Sequence, residues 1–265
     1  MKNILSQICS NKLEELKRIQ KTISSSSIRS DAECAPDTLG FKKILSESVI
    51  DRGVGLIAEI KKSSPSRGII RDDFDPVDLA LQYETGGASC ISVLTERNYF
   101  SGHNEHLIDV RKAVKLPILR KDFILDPYQV YETRAIGADC ILLIMAAIDD
   151  YLASDLSKEA RRLGLCVLVE VHDERELERT CDLDVDLIGI NNRNLKTLEI
   201  NLNTTERLMS LVPKGIDVVS ESGIYSNEDI VRMLHSKVGR FLVGESLMKQ
   251  NDLVQATRQL LGNKN

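Results

Sequence analysis

At five widely separated places in the chain, charged or amide side chains stand at the end of a short apolar run. Glu59-Ile60-Lys61 closes one run, Lys121-Asp122-Phe123 another, Glu170 lies within a third, Asn191-Asn192-Arg193 ends a fourth and Glu221-Ser222-Gly223 follows a fifth. Carboxylates and ammonium groups gathered out of water shift one another's proton affinity, which suits general acid and base catalysis. The plainer reading of the same residues is an internal salt-bridge network that only stabilises the fold. Residues two apart in a strand share a face, so Glu59 projects with Lys61 and Asn191 with Arg193. In Ser220-Glu221-Ser222-Gly223 and Val243-Gly244-Glu245-Ser246, glycines stand where backbone amides can approach an anion, and Ser64 can add a hydroxyl or simply serve a proline turn. Phe74, Phe100 and Phe123 all follow apolar runs, placed to border an aromatic substrate or to pack the rim. The histidines, His103, His106, His172 and His235, lack ligand spacing, so no metal is predicted.

Groups so far apart in sequence meet only if the intervening elements return the chain repeatedly to one edge. Apolar runs at residues 56–60, 90–94, 118–121, 140–144, 166–171, 187–191, 217–220 and 241–243 alternate with helical patterns, the signature of βα units. Eight such units predict a (β/α)8 TIM barrel with its site at the C-terminal ends of the strands; an open doubly wound sheet is the alternative. One unit occurs twice. Asp75-Pro76 precedes Tyr83-Glu84-Thr85 and Gly87-Ala88-Ser89-Cys90, and Asp126-Pro127 precedes Tyr131-Glu132-Thr133 and Gly137-Ala138-Asp139-Cys140. Each Asp reads as a helix N-cap with proline in the first turn, each glycine as the left-handed residue that ends the helix. Ahead of the barrel domain, taken as residues 51–265, residues 1–50 read as an N-terminal helical extension packed across one mouth. Ile4, Ile8, Leu13, Leu16, Ile19 and Ile23 mark an amphipathic helix, Ser24 to Ser27 a break, and Gly40 to Leu45 a further short helix.

Composition narrows the function classes. Of the 265 residues 42% are hydrophobic and 28% charged, ordinary for a globular domain with one large core. A formal net charge of −5 argues against nucleic acid as a partner, which needs a concentrated basic face. No apolar run is long enough for a membrane span or a secretory signal, so a cytoplasmic location is expected. Cys9, Cys34, Cys90, Cys140, Cys166 and Cys181 show no C-x-x-C spacing and read as small hydrophobic residues of the core.

Ile57-Ala58-Glu59-Ile60-Lys61-Lys62-Ser63-Ser64-Pro65-Ser66 resembles the signature of the indole-3-glycerol phosphate synthase family. Leu119 to Ile124, Leu168 to Val171, Ile188 to Leu195, Ser220 to Ile224 and Phe241 to Met248 resemble that family's later motifs in order, from about residue 41 to the C-terminus. The match departs at His103, where the family commonly has serine. The resemblance implies closure of the indole ring of 1-(2-carboxyphenylamino)-1-deoxyribulose 5-phosphate, with loss of carbon dioxide and water, in tryptophan biosynthesis and without a cofactor. It further implies Lys121 as the acid, Glu170 as base or cation stabiliser and Glu59 in support. Lys61, Asn191 and Arg193 would hold the substrate, and either Lys61 or Lys121 would assist dehydration. Ser64, Ser222, Gly223, Gly244 and Glu245 would line the phosphate pocket, Glu245 through its amide, with Glu221 beside them and Phe100 and Phe123 along the ring. Two rivals are a related barrel such as phosphoribosylanthranilate isomerase, whose pattern asks for a strand-one Cys and a strand-six Asp, and a non-catalytic anion-binding barrel. Docking to other enzymes of the pathway leaves no mark in the sequence.

Overall fold

Eight parallel strands pair edge to edge into a closed barrel in the computed structural model, which describes residues 4–195 and 197–263. They are β1 (Gly55–Ile60), β2 (Cys90–Leu94), β3 (Ile118–Lys121), β4 (Cys140–Ile144), β5 (Cys166–Val171), β6 (Leu187–Asn191), β7 (Asp217–Glu221) and β8 (Arg240–Val243). Closure is explicit in the register, where Ile57 of β1 lies opposite both Cys90 of β2 and Leu242 of β8. The open-sheet alternative therefore falls. Strands covered on both faces are mostly apolar, which is why these segments read as near-continuous hydrophobic runs.

Alternation along each strand divides the core in two. Leu56, Ala58, Ile60, Ile91 and Val93 pack outward with the helix faces, while Ile57, Leu119, Leu142, Leu168, Leu187, Val219 and Leu242 fill the barrel. Cys90, Cys140 and Cys166 belong to the inner set, and burial pushes the Cys90 and Cys140 thiols well above their usual range, whereas Cys34 and Cys181, expected in the core, are exposed. Two residues further along the inner series come Glu59, Lys121, Glu170 and Glu221. The barrel is thus apolar in its lower half and ionic at its upper end.

The repeated unit folds as its residues dictate. Asp75 Oδ1 accepts from the amides of Val77 at 2.9 Å and Asp78 at 3.2 Å, and Asp126 Oδ1 from that of Tyr128 at 2.8 Å. Gly87 and Gly137 take φ of 95° and 90°, a left-handed conformation that costs a side-chain-bearing residue about 1 kcal/mol or more. The extension forms α1 (Ile4–Thr22), α2 (Ser25–Cys34) and α3 (Phe41–Arg52). It does not lie across one mouth, as expected, but is shared between both ends. α3 pushes Phe41 and Leu45, both essentially inaccessible, into the lower end against the Ile57 and Cys90 set. α1 crosses the opposite mouth, where Ile4, Leu5 and Ile8 face Lys61, Phe100 and Phe123. Its Lys12, nearly buried, is neutralised by Asp122 at 3.0 Å and Glu15 at 3.1 Å. The serine run holds the expected break and also starts the next helix: α1 ends at Thr22, and Ser24 Oγ accepts from the Ser27 amide at 3.2 Å and caps α2. α2 then seats Ile28 and Ala32 against Tyr128 and Tyr131. Among the described residues no helix is long and apolar enough to cross a membrane.

Because Leu45 fills the barrel end remote from the ionic rim, Leu45→Ala should cost about 2–5 kcal/mol of stability. Urea unfolding measures the loss, and the folded fraction should keep its ligand affinity.

Candidate active site

At the upper end of the barrel, one ammonium group stands among three carboxylates. Lys121 Nζ, carried inward by the last residue of β3, lies 3.1 Å from Glu170 Oε2 of β5 and 3.4 Å from Glu221 Oε2 of β7. Glu59 of β1 pairs closely with Lys61 just beyond the strand end. Asn191 Nδ2 of β6 donates to Glu170 Oε1 at 3.1 Å, and Asn191 Oδ1 accepts from the Arg193 amide at 3.0 Å. Glu59, Lys121, Asn191, Glu170, Glu221 and Lys61 all line one cavity.

Two glycines make the carboxylates' positions available. A methyl group on Gly189 of β6 would overlap the Glu221 carboxylate, and one on Gly244 would overlap that of Glu59. In each case the missing side chain, on β6 or just past β8, is the space into which a neighbouring strand's acid leans.

The field within the cluster sets its protonation. Burial alone would drive Glu170 toward its neutral form, but Lys121, His172 and the Asn191 amide outweigh it and hold the carboxyl well below its usual range. Burial likewise opposes charge on Lys121, yet Glu170, Glu221 and Glu59 raise its proton affinity, so it stays an ammonium. Glu59 is held low, against burial, by Lys61 and Lys121. Glu221 goes the other way: burial, reinforced by the charges of Glu170 and Glu59 and only partly offset by Lys121, pushes it up to about 8. Two cations thus face two anions and one neutral acid at neutral pH, and the cluster is balanced.

Beyond β7, Ser222 and Gly223 take φ of 62° and 86° in succession, which turns the backbone sharply over the cavity. Asn192 secures that turn, donating through Nδ2 to the carbonyls of Glu221 and Ser222, each at 3.0 Å. Across from it, Gly244 opens the short helix Glu245–Met248. The Glu245 carboxylate is turned to cations, Arg67 at 3.1 Å, Arg193 at 3.3 Å and Lys249 at 2.7 Å. Phe100 and Phe123 face one another over the rim with ring centroids 6.4 Å apart.

Of the residues anticipated from sequence, Glu59, Lys61, Phe100, Lys121, Phe123, Glu170, Asn191 and Arg193 border the cavity together with Glu221, Ser222, Gly223, Gly244 and Glu245. Ser64 borders instead an adjoining cavity beneath α1, which shares Lys61, Phe100, Phe123, Arg193 and Glu245. Phe74 packs on His106, centroids 5.3 Å apart, and does not line the cavity. Sequence reasoning passed over the apolar wall of Leu142 and Ile144, although their spacing of two on β4 marked them as inward-facing. It also passed over His172, weighed only as a metal ligand, whose Nε2 lies 3.2 Å from Glu170.

A model of the family described as Indole-3-glycerol phosphate synthase matches residues 5–260 of the chain. The chain belongs to this family. An indole-3-glycerol phosphate synthase of Azospirillum brasilense is 49% identical over 261 residues, spanning 98% of this chain and 100% of that one. Its namesake from Zymomonas mobilis subsp. pomaceae is 45% identical over 262 residues, 99% of each. Among solved structures, KGPDC from Streptococcus mutans superposes with a TM-score of 0.60, covering 79% of this chain and 96% of its own at 13% identity. Thiamine phosphate pyrophosphorylase from Pyrococcus furiosus gives 0.58, covering 80% and 95% at 16%. At such identities the likeness is one of fold alone.

Gly189→Ala should displace the Glu221 carboxylate and lower kcat/KM by roughly tenfold or more while leaving the fold intact, since sub-ångström placement governs such sites. Steady-state kinetics with circular dichroism as the folding control is the check.

Proposed function

We propose that this cavity closes the indole ring of 1-(2-carboxyphenylamino)-1-deoxyribulose 5-phosphate, releasing carbon dioxide and water, with Lys121 and Glu170 as its principal acid and base. The observation that carries the reading is Lys121 standing between Glu170 and Glu221 in a cavity bordered by two phenylalanines and by the glycine turns after β7 and β8. Ring closure joins the carboxylate-bearing ring carbon to the ketone carbon, and the carbonyl oxygen must gain a proton as that bond forms. Lys121 supplies it. The ring, now cationic, is stabilised by the Glu170 carboxylate until loss of carbon dioxide restores aromaticity. Departure of the hydroxyl as water needs a second proton at oxygen and removal of one from the adjacent carbon. Glu170 takes the latter with Glu59 in support, and the ammonium of Lys61 or Lys121 gives the former.

Orientation falls to the rest of the rim. Arg193, Lys61 and Asn191 hold the ring carboxylate and the ribulose hydroxyls, Phe100 and Phe123 flank the aromatic ring, and protonated Glu221 donates a hydrogen bond. The phosphate lies against Ser64, Ser222 and the backbone of Gly223, Gly244 and Glu245. Glu245 serves through its amide, because its carboxylate already faces Arg67, Arg193 and Lys249.

Either Lys121→Ala or Glu170→Gln should lower turnover about 10²-fold or more, followed by fluorescence of the indole product; near-normal turnover in both folded variants would sink the assignments. A second expectation concerns pH. Glu221 is neutral below about 8 and gains charge above it, adding a third carboxylate to a pocket that must accept an anionic substrate. kcat/KM should therefore fall as pH rises through that value, and Glu221→Gln should flatten this alkaline limb.

A further inference from the structure

His172 follows Glu170 by two residues, just past the end of β5, and its side chain is 11% exposed. Its ring lies between two acids: Nε2 is 3.2 Å from Glu170 Oε1 and Nδ1 is 2.9 Å from Glu176 Oε2. A neutral imidazole carries one N–H and could serve only one of them, leaving a ring lone pair against the other carboxylate. The doubly protonated ring suits both. The Nε2 contact is a charge contact and not a well-aligned hydrogen bond. Glu176 is itself fixed, since the same Oε2 accepts the His172 amide at 2.8 Å and Asp173 Oδ1 accepts the Glu176 amide at 2.9 Å, capping the turn.

We propose that His172 is a positioning residue, an imidazolium clamped between Glu170 and Glu176 that keeps the Glu170 carboxylate oriented and ionised from the side opposite Lys121. The inference rests on the reading of Glu170 as the base. Glu170 then has three fixed partners, Lys121 at 3.1 Å from β3, Asn191 at 3.1 Å from β6 and His172 at the end of its own strand. Glu221 and Glu59 complete the charges on its cavity side. On the other side of His172 a second cavity carries Arg175, Arg179, Arg207 and Glu199 along with Asp173. Arg179 is engaged by Asp150 at 2.6 Å and Arg207 by Glu174. Burial works against charge on the ring, but the two carboxylates outweigh it and raise its proton affinity to about 10. Removing the cation leaves Glu170 less stabilised as an anion, so its own proton affinity must rise.

Nitrogen NMR of the 15N-histidine-labelled full chain tests the clamp directly, with the His172 resonance identified by its loss in His172→Gln. The ring should stay doubly protonated up to pH 9 or above, against about 6.5 for a free side chain. In Glu176→Gln, which leaves the active-site cavity untouched, the midpoint should drop by about one pH unit or more. A wild-type midpoint near the free value, or an unchanged midpoint in Glu176→Gln, overturns the proposal. The link to the reaction is read from the acid limb of kcat/KM. In His172→Gln that limb should move up by about one pH unit, roughly a tenfold loss on its slope, and His172→Lys should restore it. A merely structural role moves stability and not the limb. An unmoved limb in His172→Gln overturns the positioning role, whereas near-normal turnover in Glu170→Gln overturns the reading of Glu170 as base, so the two failures are told apart.

Discussion

Keeping five ionisable side chains in the dry upper end of a barrel requires that their charges cancel. Two ammonium groups, Lys61 and Lys121, confront Glu59, Glu170 and Glu221, and isolated charges at such burial cost several kcal/mol each. Balance comes from the proton that Glu221 retains, and that proton is what distinguishes three chemically identical side chains. Glu59 and Glu170, each nearest a cation, remain anions; Glu221 is left as the neutral member. Different environments thus give one residue type separate capacities, donor in one place and acceptor in another.

The fold meets this constraint by subtraction as much as by placement. Gly189 on β6 and Gly244 just past β8 contribute empty space beside the acids, and the acids occupy it. Asn192, facing away from the cavity, ties the turn after β7 to β6, so that the left-handed residues Ser222 and Gly223 hold their places. The extension closes both ends. α3 fills the lower one with Phe41 and Leu45, while Lys12 of α1 reaches Asp122, the neighbour of Lys121, and couples the covering helix to the strand that carries the central ammonium.

Strand alternation made most of the cavity legible, because Glu59 with Lys61 and Asn191 with Arg193 stand at spacing two beyond apolar runs whose two covered faces leave no polar alternative. Asp75, Asp126, Gly87 and Gly137 were legible for a different reason: each acts on its own few neighbours, so sequence proximity is spatial proximity. What escaped notice depends on partners distant in the chain. Gly189 has no side chain to announce itself and matters only because Glu221 leans across from β7. β7 extends through Glu221, one residue past the apolar run, since its backbone pairs with Asn191 of β6 and its carboxylate meets the Lys121 ammonium of β3. α3 runs on to Arg52, well past Leu45, with Ile50 turned to solvent, so its second half has no apolar stripe to show. His172 was weighed for metal spacing, while its partners are acids on either side of it.

Stability does not account for the ionic half of the barrel. Buried ion pairs are often matched or surpassed by well-packed apolar residues of similar volume, and the lower half of this same barrel shows such packing in Ile57, Leu119, Leu168 and Val219. Continuing that pattern upward would have made a simpler core. The strands switch instead to Glu, Lys and Asn at one level, the level at which helices and loops leave a cavity open to solvent. Inside the barrel the polar layer is confined to the single plane where a ligand can enter, the distribution expected when charge is retained for use. A stabilising network has no reason to stop at the cavity floor. The same logic places Glu245 and Arg193 one step above it, paired at 3.3 Å along the cavity wall.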